Sequence, residues 1–277
     1  MYMIKLTLVT ATHSRAEKLA SVALPSVLAQ TNRDFEWVVV NDGRDIATRE
    51  LVATIRADFA LAYLEMDHPT AGFGLCHGRN LGRRAAEGEI VAYLDDDNIL
   101  EPDFVEETLN FFQTHSSIKC SMVQQSRRRD VVKNGKVNRS GKPFVAPSAQ
   151  TNTLALVKQK ELFDSNGFAH YRQDAPQWNP EYRVFADYEY FLQCVSLWGC
   201  SSFKLNPQIL VNYVQTSDGV IGKSNYHSWA TELRAIYDHR EQYGVLQQVN
   251  VQFLSELIKM YEYKYHQGMS LPAFRYN

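Results

Sequence analysis

EIVAYLDDDN, residues 89 to 98, sets a short apolar run, Ile90 to Leu94, directly before Asp95, Asp96 and Asp97. Val, Ile and Tyr in a run of this length, bounded by Gly88 and an acidic cluster, read as a buried strand rather than a helix. Three adjacent carboxylates at the carboxyl end of such a strand repel one another, and a hard divalent cation with oxygen ligands relieves that repulsion. A solvated acidic turn that caps the next helix is the plainer reading of the same residues. The surroundings decide between the two.

Upstream, Ile4 to Thr10 reads as a strand, with Ala11 to Arg15 as the loop after it. Arg15 to Gln30 has helical periodicity with a kink or break expected at Pro25. Phe35 to Val40 is a second strand running into NDGRD, which leaves Asp42 at its carboxyl end. Ile46 to Phe59 reads as an amphipathic helix and Leu61 to Met66 as a third strand. This β-α-β-α-β order is that of a mostly parallel sheet covered by helices. HPTAGFGLCHGRNLGRRAAEGE then passes from a Gly-rich loop into a helix near Cys76, but it contains neither GxGxxG after a first strand nor GxxxxGK[ST]. His77 in this stretch reads as a loop or core histidine, with a phosphate contact as its functional alternative.

Downstream, Phe104 to His115 is a helix and Lys119 to Gln125 a strand. Asn134-Gly135 predicts a surface hairpin carrying Arg127, Arg128 and Arg129, read as a solvated face or as a contact for an anionic acceptor. Thr151 to Val157 is expected as a strand, Lys158 to Asn166 as a short helix closed by Gly167, and Phe168 to Arg183 as a long loop in which Trp178 either packs or stacks on an acceptor. A helix begins near Phe185, so Asp187 lies in its first turn, where aspartate also serves as a cap. Ser201 to Val214 supplies one or two strands, Gln215 to Asn225 a polar loop, and Tyr226 to Tyr243 with Leu246 to His266 two amphipathic helices.

The 277 residues, 45% hydrophobic and 22% charged with a formal net charge of -2, are ordinary for a globular α/β chain and give no electrostatic case for nucleic acid. Cys76, Cys120, Cys194 and Cys200 form no CxxC pair and read as reduced and buried, which favours a cytoplasmic location. No signal peptide or membrane span is evident, so any membrane association is expected to be peripheral, at the inner face. Tyr261, Tyr263, Lys264, Tyr265, Phe274 and Arg275 mix aromatic and basic character; a packed helix and tail is the expectation, with a membrane interface or a homodimer contact as alternatives.

Ligands of open parallel sheets collect at the carboxyl ends of the strands. That rule gathers Thr10 to Arg15, Asp42 and Asp95 to Asp97 on one rim, where Asp42 suits a pyrimidine imide and the acidic triplet a metal held against a diphosphate.

TLVTATHSR, VVVNDG, GRNLGRRAAEGEIVAYLDDDN and ADYEYFLQ, taken together over residues 4 to 215, resemble the successive motifs of family 2 glycosyltransferases. The resemblance implies a GT-A type nucleotide-diphospho-sugar transferase fold, a mixed, mostly parallel sheet flanked by helices. Residues 1–225 would form that domain, with a nucleotide half (1–100) and an acceptor half (101–225), and 226–277 a C-terminal helical extension. It also implies that Thr10, Thr12, Arg15, Asp42 and Arg79 lie around the nucleotide, that Asp95 faces the donor, and that Asp97 binds Mg²⁺ or Mn²⁺ in a D-x-D pattern; Asp96, the middle residue, is grouped with the donor-binding set but expected to be a structural support rather than a ligand. Asp187 would be the base for an inverting displacement on a UDP-sugar by a carbohydrate, lipid-linked or other hydroxyl acceptor. Ala186 and Gln215 depart from the family's usual Glu and metal-binding His, the latter leaving Gln215 as a weak ligand. A non-catalytic nucleotide-sugar binder fits those departures; a sugar-phosphate nucleotidyltransferase would need glycines after the first strand that TATHSRAEK lacks.

Overall fold

The structure, a computed structural model, describes residues 5–271. Its strands are β1 (Leu6–Thr12), β2 (Phe35–Asp42), β3 (Ala60–Met66), β4 (Ile90–Tyr93), β5 (Ile99–Leu100), β6 (Cys120–Lys133), β7 (Lys136–Ser140), β8 (Phe144–Ala146), β9 (Phe168–Tyr171) and β10 (Phe203–Thr216). They join in one mixed sheet in the order β3-β2-β1-β4-β9-β6-β10-β5, with β7 and β8 paired to β6. β3, β2, β1 and β4 are parallel, as the alternation of strands and helices requires, and β9 is antiparallel to both β4 and β6.

The buried strands read as continuous apolar runs because helices cover both faces. Val9, Ala11, Val38, Val40, Val91 and Tyr93 point into one layer, and Leu6, Leu8, Trp37, Val39, Ile90 and Ala92 into the other. The first layer is closed by the helix Gly74–Ala85, which lies very near the sheet. A Cβ on Gly78 would come within 2.7 Å of the Ala11 side chain, and one on Gly82 within 2.5 Å of Val9, so these glycines set the approach. At the amino-terminal end of the same face, buried Glu36 accepts from the Thr7 hydroxyl and from the backbone N–H groups of Glu87 and Gly88, which pins the turn that launches β4.

Several sequence expectations need correction. β1 and β2 run two residues further than expected, to Thr12 and Asp42. Pro25 does not break its helix: the π-turn Leu19–Ala23 precedes it, and its wider winding takes up the bond that proline cannot make. Thr153–Val157 is a helix, not a strand, because the Asn152 side chain accepts from the Ala155 N–H as an N-cap. No helix forms over 158–166. Phe168–Tyr171, expected as loop, is the strand β9 at the centre of the sheet. The Asn134-Gly135 hairpin forms as read, both residues at positive φ.

The C-terminal helices Tyr226–Asp238 and Gln252–His266 pack on the helix Ala186–Trp198, and Leu233, Ile236, Leu254 and Ile258 share one apolar cluster with Phe191 and Leu192. Tyr261 stacks on Tyr226 in this packing, Tyr263 and Tyr265 are exposed, and Phe274 and Arg275 lie outside the described residues. All four cysteines are free and three are buried. Among the described residues no helix is long and apolar enough to cross a membrane.

Candidate active site

The carboxyl ends of β1, β2 and β4 open on a cavity of about 680 Å³ lined by Thr12, Arg15, Asp42, Asp95, Asp96, Asp97, Tyr213 and Gln215 among others. Strand alternation divides the acidic triplet. Leu94 still pairs with β1 through its N–H, so Asp95 and Asp96 leave toward opposite faces as the chain enters the turn at Asp96 and Asp97. Asp95 falls on the layer of Tyr93 and Val91, and Asp96 on that of Leu94 and Ala92.

Asp96 is almost fully buried, accepts from the Thr12 hydroxyl at 2.6 Å and lies 3.2 Å from Arg15. Burial pushes its carboxyl up to about 7 although Arg15 pulls it down. Asp97 reaches the cavity and pairs with the other Arg15 nitrogen, and burial also holds it above the usual carboxylate range against that arginine. The region thus carries more negative charge than Arg15 alone offsets.

Asp95 behaves differently because of Arg79. The Arg79 guanidinium, 2% exposed, donates to Asp95 at 2.7 Å and to Asp187 at 2.8 Å, and lies 4.4 Å over the Trp178 ring. Burial opposes the charge on Asp95, but Arg79 and the Asn166 amide override it and hold the carboxyl below its ordinary value. Asp187 ends on the other side: burial raises it, Arg79 lowers it less, and Asp164 and Asp95 add to the rise. One cation therefore carries two carboxylates, one held ionised and one made more basic.

At the other end of the cavity Asp42, nearly buried, is met by His68 Nδ1 at 2.9 Å, and His13 Nδ1 lies 2.9 Å from the Asp42 carbonyl oxygen. The helix Gly74–Ala85 starts against it, and a Cβ on Gly74 would stand 2.3 Å from Asp42 Oδ2.

The structure thus brings together Thr12, Arg15, Asp42, Asp95, Asp96 and Asp97, with Asp187, 31% exposed at its side chain, joined to Asp95 through the buried Arg79. It does not bring Thr10 to the cavity. Thr10 lies one strand period deeper than Thr12, fully buried, and its hydroxyl accepts from Trp37 Nε1 at 3.0 Å. Arg79 is not among the residues lining the cavity; its side chain is buried against Asp95 and Asp187. Gln215 lines the cavity, but its Oε1, the one atom suited to a metal, already accepts from Arg129 at 3.1 Å. Trp178 is a core residue stacked on Tyr190 at 4.0 Å, and no platform for an acceptor. His77 is half-buried on its helix, outside the cavity lining. The arginine run is no solvated face: Arg127 is buried against Gln125 and Asp164, Arg128 pairs with Asp130 and Arg129 with Gln215.

Sequence reasoning missed Asn166, whose side chain both donates to and accepts from Asp95. It missed Glu232 as well, which accepts from the backbone N–H groups of Arg183, Val184 and Phe185 and so caps the Asp187 helix from a C-terminal helix. Neither leaves a local signal, since each acts on residues 47 or more positions away. His13 and His68 were readable only as single histidines.

An all-oxygen donor set with surplus negative charge suits Mg²⁺ or Mn²⁺. Asp97, with Asp95 nearby, would supply it once Arg15 yields its place on Asp97.

Residues 7–176 match the family described as Glycosyl transferase family 2. An uncharacterized glycosyltransferase of Rickettsia bellii (strain RML369-C) is 29% identical over 159 residues, 52% of this chain and 22% of the relative, so the chain spans about a fifth of that protein's length. Among solved structures, residues 1–349 of TarS from S. aureus, in complex with UDP-GlcNAc, align with a TM-score of 0.65 at 13% identity over 96% of this chain and 73% of that one. The mannosyltransferase PcManGT from Pyrobaculum calidifontis, in complex with GDP-Man and Mn²⁺, aligns with a TM-score of 0.54 at 18% identity over 99% of this chain and 78% of that one. These likenesses carry the GT-A fold, and the family match covers more than half of the sequence. The chain belongs to glycosyl transferase family 2.

Proposed function

We propose that the protein transfers a sugar from a nucleotide-diphosphate sugar, a UDP-sugar in the first instance, to an acceptor hydroxyl with inversion. The observation that carries this reading is the buried Arg79 bridge between Asp95 in the cavity lining and the partly exposed Asp187. A sugar hydroxyl attacks poorly while protonated, and a carboxylate made more basic by burial is suited to take that proton. Asp187 is the proposed base and Arg79 the group that orients it. Asp42 faces the base, and Asp97 holds Mg²⁺ or Mn²⁺, which when bound supplies positive charge for the departing diphosphate. Residues 1–100 would serve the nucleotide and 101–225 the acceptor, with 226–277 bracing the Asp187 helix through Glu232.

Gln215 and Ala186 favour a second reading, donor binding without transfer. A thermal-shift panel of nucleotide-sugars with and without Mn²⁺ tests the first half of both: one donor should stabilise the chain, and more so with the metal. No shift with any donor would reject both. Release of nucleoside diphosphate from the stabilising donor separates them.

A further inference from the structure

β1, β2 and β3 are adjacent and parallel, with Thr12 opposite Asn41 and Asp42 opposite Met66, so their carboxyl ends come out side by side. Each end contributes a residue with a metal-binding atom: His13 just past β1, Asp42 closing β2 and His68 just past β3. One atom from each lies within 4.8 Å of the other two. His68 Nδ1 is 2.9 Å and His13 Nδ1 3.8 Å from the same Asp42 oxygen, Oδ2, and the two imidazole rings lie 4.2 Å apart at 30°. Asp42 is 4% exposed at its side chain, whereas both histidines are about half exposed. A buried anion is therefore covered by two adjustable nitrogen ligands, with the outer side open toward the cavity.

We propose that His13, Asp42 and His68 form a site for a borderline-soft divalent cation of the Zn²⁺ class, separate from the acidic triplet. Zn²⁺ takes nitrogen and carboxylate ligands at about 2.0–2.2 Å in tetrahedral array, which sets ligand atoms roughly 3.4 Å apart. The three atoms here need to close by little more than 1 Å, about the reach of a small turn of two half-exposed rings. Two imidazoles and one carboxylate select this class of metal, whereas the triplet offers oxygen alone. The ligands bind as neutral imidazoles, so the protons now directed from His13 Nδ1 at the Asp42 carbonyl oxygen and from His68 Nδ1 at the Asp42 carboxylate both move to Nε2. The fourth position is left to water. If the proposed function holds, the cation occupies the carboxylate that meets the nucleotide's base, and the two ligands exclude each other.

The test titrates Zn²⁺ into the full chain against a chromophoric chelator and records the visible spectrum of bound Co²⁺. The wild type should take up one equivalent, with affinity falling about tenfold or more in His13→Ala and in His68→Ala and unchanged in Asp97→Asn. The Co²⁺ bands of a tetrahedral site should vanish in both histidine variants, whose substitutions are at half-exposed positions and leave the core intact. Stoichiometric binding retained in the His13→Ala/His68→Ala double variant, or lost in Asp97→Asn alone, would overturn the site, as would the lack of any tight equivalent. Repeating the titration with excess UDP, after subtracting UDP's own hold on Zn²⁺ measured with the chelator alone, reads the competition: Zn²⁺ binding to the protein weaker than that correction accounts for supports it. UDP that binds by thermal shift yet leaves Zn²⁺ affinity unchanged overturns it. Failure of UDP to bind at all counts against the proposed function, while the titration without nucleotide still decides the cation site.

Discussion

Arg79 and Asp187, 108 residues apart in the chain, meet at 2.8 Å, and the remaining Arg79 nitrogen holds Asp95 at 2.7 Å. The charges are mutually dependent. Removing the guanidinium leaves two carboxylates facing each other around a buried gap, which costs about 3–5 kcal/mol when one partner of a buried pair is lost. Arg79→Met is expected to lower the urea midpoint accordingly and to abolish transfer. The double variant Arg79→Met/Asp187→Asn should recover part of the stability and none of the activity. Unaltered stability of Arg79→Met would show that the bridge is not held as described.

Glu232 ties the C-terminal helices to the site. Glu232→Ala removes the acceptor for three backbone N–H groups ahead of the Asp187 helix, worth about 1–3 kcal/mol if they stay poorly solvated. Hydrogen exchange should quicken over residues 183–187 before it does elsewhere in the chain. Uniform protection in the variant would assign Glu232 no bracing role.

Gly74 tests the base end of the cavity. Alanine is the better helix former, by about 1 kcal/mol, but its Cβ would sit 2.3 Å from Asp42 Oδ2 and must displace that carboxylate. Gly74→Ala should bind donor nucleotide roughly tenfold or more weakly with global stability little changed. Equal affinity would separate Asp42 from base recognition.

His170 predicts acid sensitivity. Burial between Tyr93 and Tyr190 lowers its imidazole from 6.5 to about 4. The unfolded chain therefore binds this proton near pH 6.5 and the folded chain only near 4, so the stability is fully present above 6.5 and is lost as pH falls toward 4. The loss reaches about 2 kcal/mol at about pH 5. Urea midpoints measured at about pH 7 and about pH 5 should fall further for wild type than for His170→Gln. An equal fall in both proteins contradicts the assignment.

β1, β2, β4 and the acidic triplet were legible because parallel strands buried on both faces show as short apolar runs that lead straight into the site residues, and β3, partly buried at the sheet edge, by its place in the β-α-β-α-β order. β9 was not, since the Nε2 of its buried His170 is satisfied by Tyr93 and Tyr190, partners from other elements, while Nδ1 turns to the Tyr171 carbonyl. The same holds for Arg79: a buried arginine is intelligible only once Asp95 and Asp187 are seen on either side of it. Thr10 and Thr12 look equivalent in sequence and differ because β1 ends two residues later than its apolar pattern suggests, which leaves Thr12 at the rim and Thr10 in the core. Asp96 took its place, against Thr12 and Arg15, in the turn that follows β4 and that the Asn98 N–H closes on the Asp95 carbonyl.

The central claim, transfer from a nucleotide-sugar with Asp187 as base, is tested most directly by nucleoside diphosphate release from a donor panel in Mn²⁺, comparing wild type with Asp187→Asn. The account predicts release from at least one donor, falling about 100-fold or more in the variant while donor binding is retained. Release that is undiminished in Asp187→Asn, or no release from any donor that binds, would contradict it.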